Sequence, residues 1–303
     1  MPSLLMLLTA CEARISGTSG DVTTDATETE IDAGAEAIDA AAKIDAPIDA
    51  VVLGPWSTPA KILAASTTGS DEDDSTLSSN ALELIFAIDS RDGKDLYYSS
   101  RPSAAGAWTT AVKLPFNTTK SDETPRLSAD DKTLYFASDR NGTLDVYTVT
   151  RAAAGSTTWG TPQALATVNT NNLGEKWYMP CGTNHYIMAQ SVGDNDSDLV
   201  EGTIGSPPTA ITTLNSPQAE TGTLVTPDCL TIYFASKRAN PTMIYTSHRA
   251  TLTAPWQPPT AVTDFKITGG NGNQEDPWMS PDGRTFVFAS DAAGSKDIYI
   301  STR

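Results

Sequence analysis

The chain has only two histidines and three cysteines among 303 residues, too few for His/Cys metal clusters or a dense disulfide framework. It has no apolar run of about 18 residues, so no segment reads as a membrane-spanning helix. Its 20 Lys+Arg are outnumbered by 37 Asp+Glu, a net charge of −17. A surface of that sign repels phosphate backbones, which excludes nucleic acid as an expected partner. A nucleophile elbow, a phosphate-binding glycine loop and a dinucleotide fingerprint are all missing. What is plentiful is β-branched and aromatic residues in short runs, punctuated by 21 Gly and 19 Pro. That is the composition of an all-β protein with many turns.

Three stretches differ in character. Leu4 to Leu8 is a short apolar run, and Leu8-Thr9-Ala10-Cys11 follows it. This resembles the lipobox of bacterial lipoproteins, which implies a signal peptide over 1–11, acylation of Cys11 and a membrane-anchored protein facing the periplasm or the cell exterior. Residues 12–53 carry ten acids, two bases and no aromatic residue, and such a stretch buries too little apolar surface to offset its chain entropy. It reads as a disordered acidic tether. Residues 54–303 read as the folded part.

That part is one unit of about 50 residues seen five times. Glu123-Thr-Pro-Arg-Leu-Ser-Ala-Asp-Asp-Lys-Thr-Leu-Tyr-Phe-Ala-Ser-Asp139 recurs 152 positions later as Glu275-Asp-Pro-Trp-Met-Ser-Pro-Asp-Gly-Arg-Thr-Phe-Val-Phe-Ala-Ser-Asp291. Further copies run through Leu77 to Ala87, Glu175 to Ala189 and Thr226 to Ala235. Each unit reads as four strands, with turn residues such as Asp139-Arg140-Asn141-Gly142 between them. The last unit stops at Arg303 without a fourth strand, and Trp56 to Ile62 matches Trp108 to Leu114 and Trp256 to Val262. The expected fold is therefore a five-bladed β-propeller of four-stranded blades, closed by the N-terminal strand completing the C-terminal blade.

Pro277-Trp278-Met279-Ser280-Pro281-Asp282-Gly283, followed by Asp297-Ile298-Tyr299, resembles the repeat of TolB-like envelope propellers. The resemblance implies the fold; such propellers include scaffolds, receptors, hydrolases and lyases, so it leaves function open.

Most recurring residues have a structural reading. Trp56, Trp108, Trp159 and Trp256 repeat at one blade position and are expected to pack between blades. Arg101, Arg151, Arg249 and Arg303 close third strands, and His185 and His248 occupy non-equivalent positions. Asp194-Asn195-Asp196-Ser197-Asp198 alternates carboxylates like the start of a calcium loop but lacks the glycine and the distal glutamate. Cys181 and Cys229 fall in the same turn of neighbouring blades, and an oxidising compartment would pair them. One ring looks like a site: Asp73, Glu123, Glu175 and Glu275 stand in register just before the first, channel-lining strand of four units, and the fourth unit slips by one, offering Glu220 beside Thr221. Packed carboxylates of that kind would attract calcium or a basic segment of a partner. The reading that results is a lipid-anchored envelope propeller that binds or scaffolds an envelope protein or glycan through its channel mouth, with no catalytic residue assigned. The alternative is a carbohydrate-active hydrolase or lyase using funnel carboxylates, whose acid and nucleophile would have to break the repeat.

Overall fold

The computed structural model describes residues 53–303 apart from 68, 91, 92, 194, 195, 268, 269 and 271. The lipobox with Cys11 and almost all of the acidic segment lie outside the described residues. In chain order, β1 (Ala60–Lys61) comes first and a single 3-10 turn follows at Leu63–Ala65. Blade one is β2 (Glu72–Leu77), β3 (Glu83–Ser90), β4 (Gly93–Ser100) and β5 (Val112–Lys113). Blade two is β6 (Asp122–Leu127), β7 (Thr133–Ser138), β8 (Asp145–Thr150) and β9 (Gln163–Ala164). Blade three is β10 (Gly174–Cys181), β11 (His185–Gly193), β12 (Asp196–Thr203) and β13 (Thr209–Ala210). Blade four is β14 (Glu220–Val225), β15 (Thr231–Ser236), β16 (Met243–His248) and β17 (Thr260–Ala261). Blade five is β18 (Gln274–Met279), β19 (Thr285–Ser290) and β20 (Asp297–Thr302), with β1 as its outermost strand. The expected ring closure is therefore present: Ala60 pairs with Ile300 and Lys61 with Tyr299.

The blades hold together because each sheet is apolar on both faces. Every seam between neighbours carries its own cluster. Phe86 and Trp278 meet between blades five and one, Leu96 and Phe136 between one and two, and Tyr178 and Val146 between two and three. Leu199 and Phe234 meet between three and four, and Ile244 and Phe288 between four and five. Trp159 and Trp256 are buried in these seams, as the repeat suggested. Above each of the four recurring tryptophans lies the recurring arginine, 4.5 Å for Arg101 over Trp108, 4.8 Å for Arg151 over Trp159, 4.3 Å for Arg249 over Trp256 and 4.1 Å for Arg303 over Trp56. The same arginines donate Nε to the carbonyl of the turn between first and second strands, at Ala81, Asp131, Cys229 and Gly283. Arg151 also forms a bidentate pair with Glu83 of blade one, and Arg249 pairs with Glu201 of blade three. They are structural staples.

Blade three lacks this device. Ile204 stands at the arginine position, its N–H donating to Asn184 as Arg249 N–H donates to Leu230. Its turn is held instead by the Cys181–Cys229 disulfide, with Cα atoms 5.3 Å apart, and by Gly182 N–H donating to Pro227 O at 2.7 Å. The pairing expected from turn position is thus formed, at the seam between blades three and four.

Candidate functional site

The five innermost strands share one irregularity that sets the chemistry of the channel. In each, the ladder slips just after the second residue, or in β10 the third, and the residue at the slip has positive φ: Asp74 at 53°, Thr124 at 54°, Trp177 at 50°, Gly222 at 59° and Asp276 at 53°. These are β-bulges, and each turns the strand inward. In two places the bulges interlock around the ring. Asp74 N–H donates to Asp276 Oδ2 at 3.3 Å, and Trp177 N–H to Thr124 Oγ1 at 3.3 Å. Gly222 fits because a Cβ there would lie 2.8 Å from the backbone nitrogen of Asp276.

The ladder register corrects the carboxylate ring. The residues that pair with the small alanine of the second strand are Asp73, Glu123, Lys176, Thr221 and Glu275, opposite Ala87, Ala137, Ala189, Ala235 and Ala289. Glu175 and Glu220 stand one position earlier, level with Glu72 and Asp122. A one-residue shift in a strand turns the side chain to the other face. There these carboxylates tie down the loop that enters the blade: Glu72 accepts from Thr67 N–H, Asp122 from Thr118, Glu175 from Thr170 and Glu220 from Ser216. The ring thus separates into three mouth carboxylates, on blades five, one and two, and two loop clamps.

The three remaining carboxylates are not an open acidic mouth. Lys94 Nζ lies 2.8 Å from both oxygens of Asp73, 3.0 Å from Asp74 Oδ2 and 3.7 Å from Glu123 Oε2. Lys296 Nζ lies 2.7 Å from Glu275 Oε2 and 3.3 Å from Asp73 Oδ2. Asp73 therefore bridges two ammonium groups carried by neighbouring blades. Deeper in, Trp177 Nε1–H donates to Asp74 Oδ1 at 2.8 Å. Arg126, 1% exposed, crosses from blade two to donate to Thr223 O of blade four and Ser75 O of blade one. Asp73, Asp74 and Asp276 are 4%, 1% and 3% exposed, so the aspartates are buried beneath the partly exposed Lys94 and Lys296. The carboxylate oxygens that would face a cation here already face the two ammonium groups. Among the described residues no group of three or more His, Cys, Asp or Glu is arranged to hold a metal ion. In the Asp194–Asp198 stretch, Ser197 and Asp198 are ladder-paired within β12 opposite Ser191 and Gln190; Asp194 and Asn195 lie outside the described residues.

Lys94 and Lys296 escaped the sequence reading, although a signal was there. Each directly precedes an Asp of the third strand, Asp95 or Asp297, at a register position occupied by Leu144, Ser197 and Thr242 in the other blades. A charge that interrupts a repeat in two adjacent blades marks the place where the carboxylates gather.

Burial and proximity drive the acidities in this cluster apart. Burial, then the charge of Asp74, push Asp73 up to about 7, and the same causes raise Asp276 well above the carboxylate range. Burial also opposes ionisation of Asp74, but Lys94, Lys296 and Arg126 outweigh it and hold that carboxyl below its ordinary range. Burial lifts the loop clamp Glu72 to about 7 as well. Unfolded, these carboxyls titrate near 4. Between about pH 7 and pH 4 the folded state thus holds more protons at Asp73 and Glu72, and stability rises as pH falls through that window. Asp74 has the opposite sign, and its contribution is lost only below about pH 4. The melting temperature is expected to climb from pH 8 to pH 5.5, with a flatter profile in Asp73→Asn. A wild-type profile that falls over that interval would show these assignments to be wrong.

The other end of the channel has the reverse character. Below the bulges, Leu77, Leu127, Met179, Leu224 and Trp278, one from each blade, form an apolar funnel of about 330 Å³ together with Met279 and the turns beyond. The hydroxyls at its rim are already engaged: Ser79 donates to Asp131, Ser128 to Asp130, Thr226 to Asp228 and Ser280 to Asp282, at 2.5 to 2.7 Å. The N-terminal end of the described chain reaches the same face, for a Cβ on Gly283 would touch Leu53 at 3.4 Å.

No protein-family profile and no curated protein matches this chain. Solved structures do. The catalytic domain of a GH62 α-L-arabinofuranosidase from Coprinopsis cinerea superposes with a TM-score of 0.56 at 11% identity, over 82% of this chain and 97% of that one. The Podospora anserina α-L-arabinofuranosidase, solved with cellotriose, gives 0.56 at 13% identity, over 82% and 96%. A putative TolB from Agrobacterium tumefaciens gives 0.48 at 17% identity, over 82% and 85%. The likeness is one of fold. It leaves what the channel does to its side chains.

Proposed function

We propose that this protein is a binding module of the bacterial cell envelope, held to a membrane through a lipid on Cys11, that engages a partner at one axial end of its propeller. One observation carries the reading: the carboxylates a hydrolase would need open to substrate are buried and neutralised by Lys94 and Lys296, whereas the opposite funnel is open and built by all five blades. An envelope localisation rests on the lipobox-like Leu8-Thr9-Ala10-Cys11 and the acidic stretch after it. The test is expression of the full chain in a bacterial host with crosslinking in intact cells. The wild type is expected in the membrane fraction and Cys11→Ala in the soluble fraction. The same envelope polypeptide should be crosslinked by the wild type and lost in Leu127→Asp.

A hydrolase is the second reading, favoured by the divergent acidities of Asp73, Asp74 and Asp276, since one carboxyl kept protonated beside one kept ionised is what glycoside cleavage requires. Release of an aryl leaving group from arabinofuranosyl or xylosyl substrates by the wild type, abolished in Asp74→Asn, would overturn the binding reading.

A further inference from the structure

The funnel's chemistry narrows what it takes. Its volume of about 330 Å³ is at the small end of ligand pockets, room for one or two apolar side chains. A sugar is poorly served there, because sugar recognition needs convergent hydrogen-bonding groups, and the rim hydroxyls of Ser79, Ser128, Thr226 and Ser280 are all spent on neighbouring carboxylates. Those same bonds hold Asp130, Asp228 and Asp282 below the usual carboxylate range, so the exposed turn tips around an apolar pit are ionised. The cations nearby on the turns are Lys132 and Arg284, the latter 3.9 Å from Asp282. The four recurring arginines reach the backbone of these turns through Nε, their guanidinium groups stacked over the tryptophans. Asp228 has no ion-pair partner among the described residues. Beyond the rim, residues 54–303 carry 27 acids and 18 bases, that is 37 − 10 and 20 − 2 after the acidic stretch is removed, a net −9. The field around the funnel steers cations toward it.

We infer that the funnel seats a peptide segment of a partner protein in which one or two large apolar side chains are flanked by Lys or Arg. The apolar residues fill the space between Leu127, Met179 and Trp278, and the flanking cations face Asp130, Asp228 and Asp282. The occupant rests on the binding reading above and sharpens it.

Three fluorescein-labelled octapeptides test the inference against the full chain in detergent, read by anisotropy. One carries two leucines between lysines, one the same leucines between glutamates, and one serines between lysines. Only the first is expected to bind, at least tenfold tighter than either other peptide, and more weakly as salt is raised. Asp228→Asn with Asp282→Asn, both exposed side chains that leave the core untouched, should weaken it at least fivefold, and Leu127→Asp should abolish it. Met279→Glu, on a half-buried wall position, repeats the wall test should Leu127→Asp fold poorly by circular dichroism. Equal binding of the lysine and glutamate peptides, both lost in the wall variants, would overturn the cationic occupant while leaving the binding reading standing. Equal binding of the leucine-free peptide would show a surface charge effect and overturn the inference. If no peptide binds, the inference falls, and the binding reading falls with it only if intact-cell crosslinking is the same for wild type and Leu127→Asp.

Discussion

Replacing Lys94 by methionine is expected to cost about 3–5 kcal/mol at pH 7.5, the range for breaking a buried ion pair from one side. The ammonium is the shared partner of Asp73 and Asp74 and stands 3.7 Å from Glu123, and Lys296 and Arg126 alone do not neutralise what it leaves behind. The loss should shrink at pH 5.5, where Asp73 takes up a proton instead. Adding Asp73→Asn and Asp74→Asn to the methionine variant should recover most of the stability, because the penalty comes from unpaired charge and not from the shape of the site. Urea unfolding of the three proteins at both pH values measures this. A single variant within 1 kcal/mol of wild type would mean that water, and not the lysine, neutralises the cluster.

Removing the disulfide by Cys181→Ala with Cys229→Ala should have a comparable effect. The bridge closes a sequence separation of 48 residues, for which loop-closure entropy gives about 4 kcal/mol, on the order of a 10 °C drop in melting temperature for a domain of this size. The position adds to the expectation. Blade three is the one whose turn has no arginine staple, Ile204 standing in its place, so the bond does locally what guanidinium and tryptophan do elsewhere. Hydrogen exchange should show the damage first at Gly182, whose N–H bonds to Pro227 across the same seam. Loss of under 1 kcal/mol, with Gly182 protection unchanged, would mean that packing of Leu199 and Phe234 suffices to hold blades three and four together.

Architecture was readable because it is repetitive. The strand pattern and its turns recur, with an Asp-apolar-Tyr motif at Asp95, Asp145 and Asp297, so weak signals reinforce one another, and the orphan strand Trp56 to Ile62 had one vacant place to go. The cysteine pair was legible for the same reason: equivalent turns of adjacent blades are neighbours in space. The channel was legible only in part. A β-bulge inserts a residue without a mark in the sequence, since Asp74, Thr124, Trp177, Gly222 and Asp276 share a backbone conformation and no chemistry. Glu175 therefore looked level with Glu123, although Lys176 takes the mouth position in its blade, as Thr221 does in the blade where Glu220 already stood one position off. Lys94 reaches Asp73 from a third strand and Lys296 from just before one, contacts no linear alignment of first strands contains. The funnel was unreadable as a site because its walls are Leu, Met and Trp at positions that in any propeller look like core.

The closure of the ring by β1 has a mechanical side. Tension reaching Leu53 from the preceding chain is borne by the junction of β1 with β20: Ser57 N–H to Thr302 O, the Ala60–Ile300 and Lys61–Tyr299 ladder, Ile62 N–H to Ile298 O and the Lys61–Asp297 ion pair. Pulled along the strand, these bonds share the force and must shear together. Pulled outward from the rim, they peel singly, starting at Ser57. The same short strand is thus a clasp that is strong in one direction and weak in another, and the direction of pull decides whether the ring stays shut.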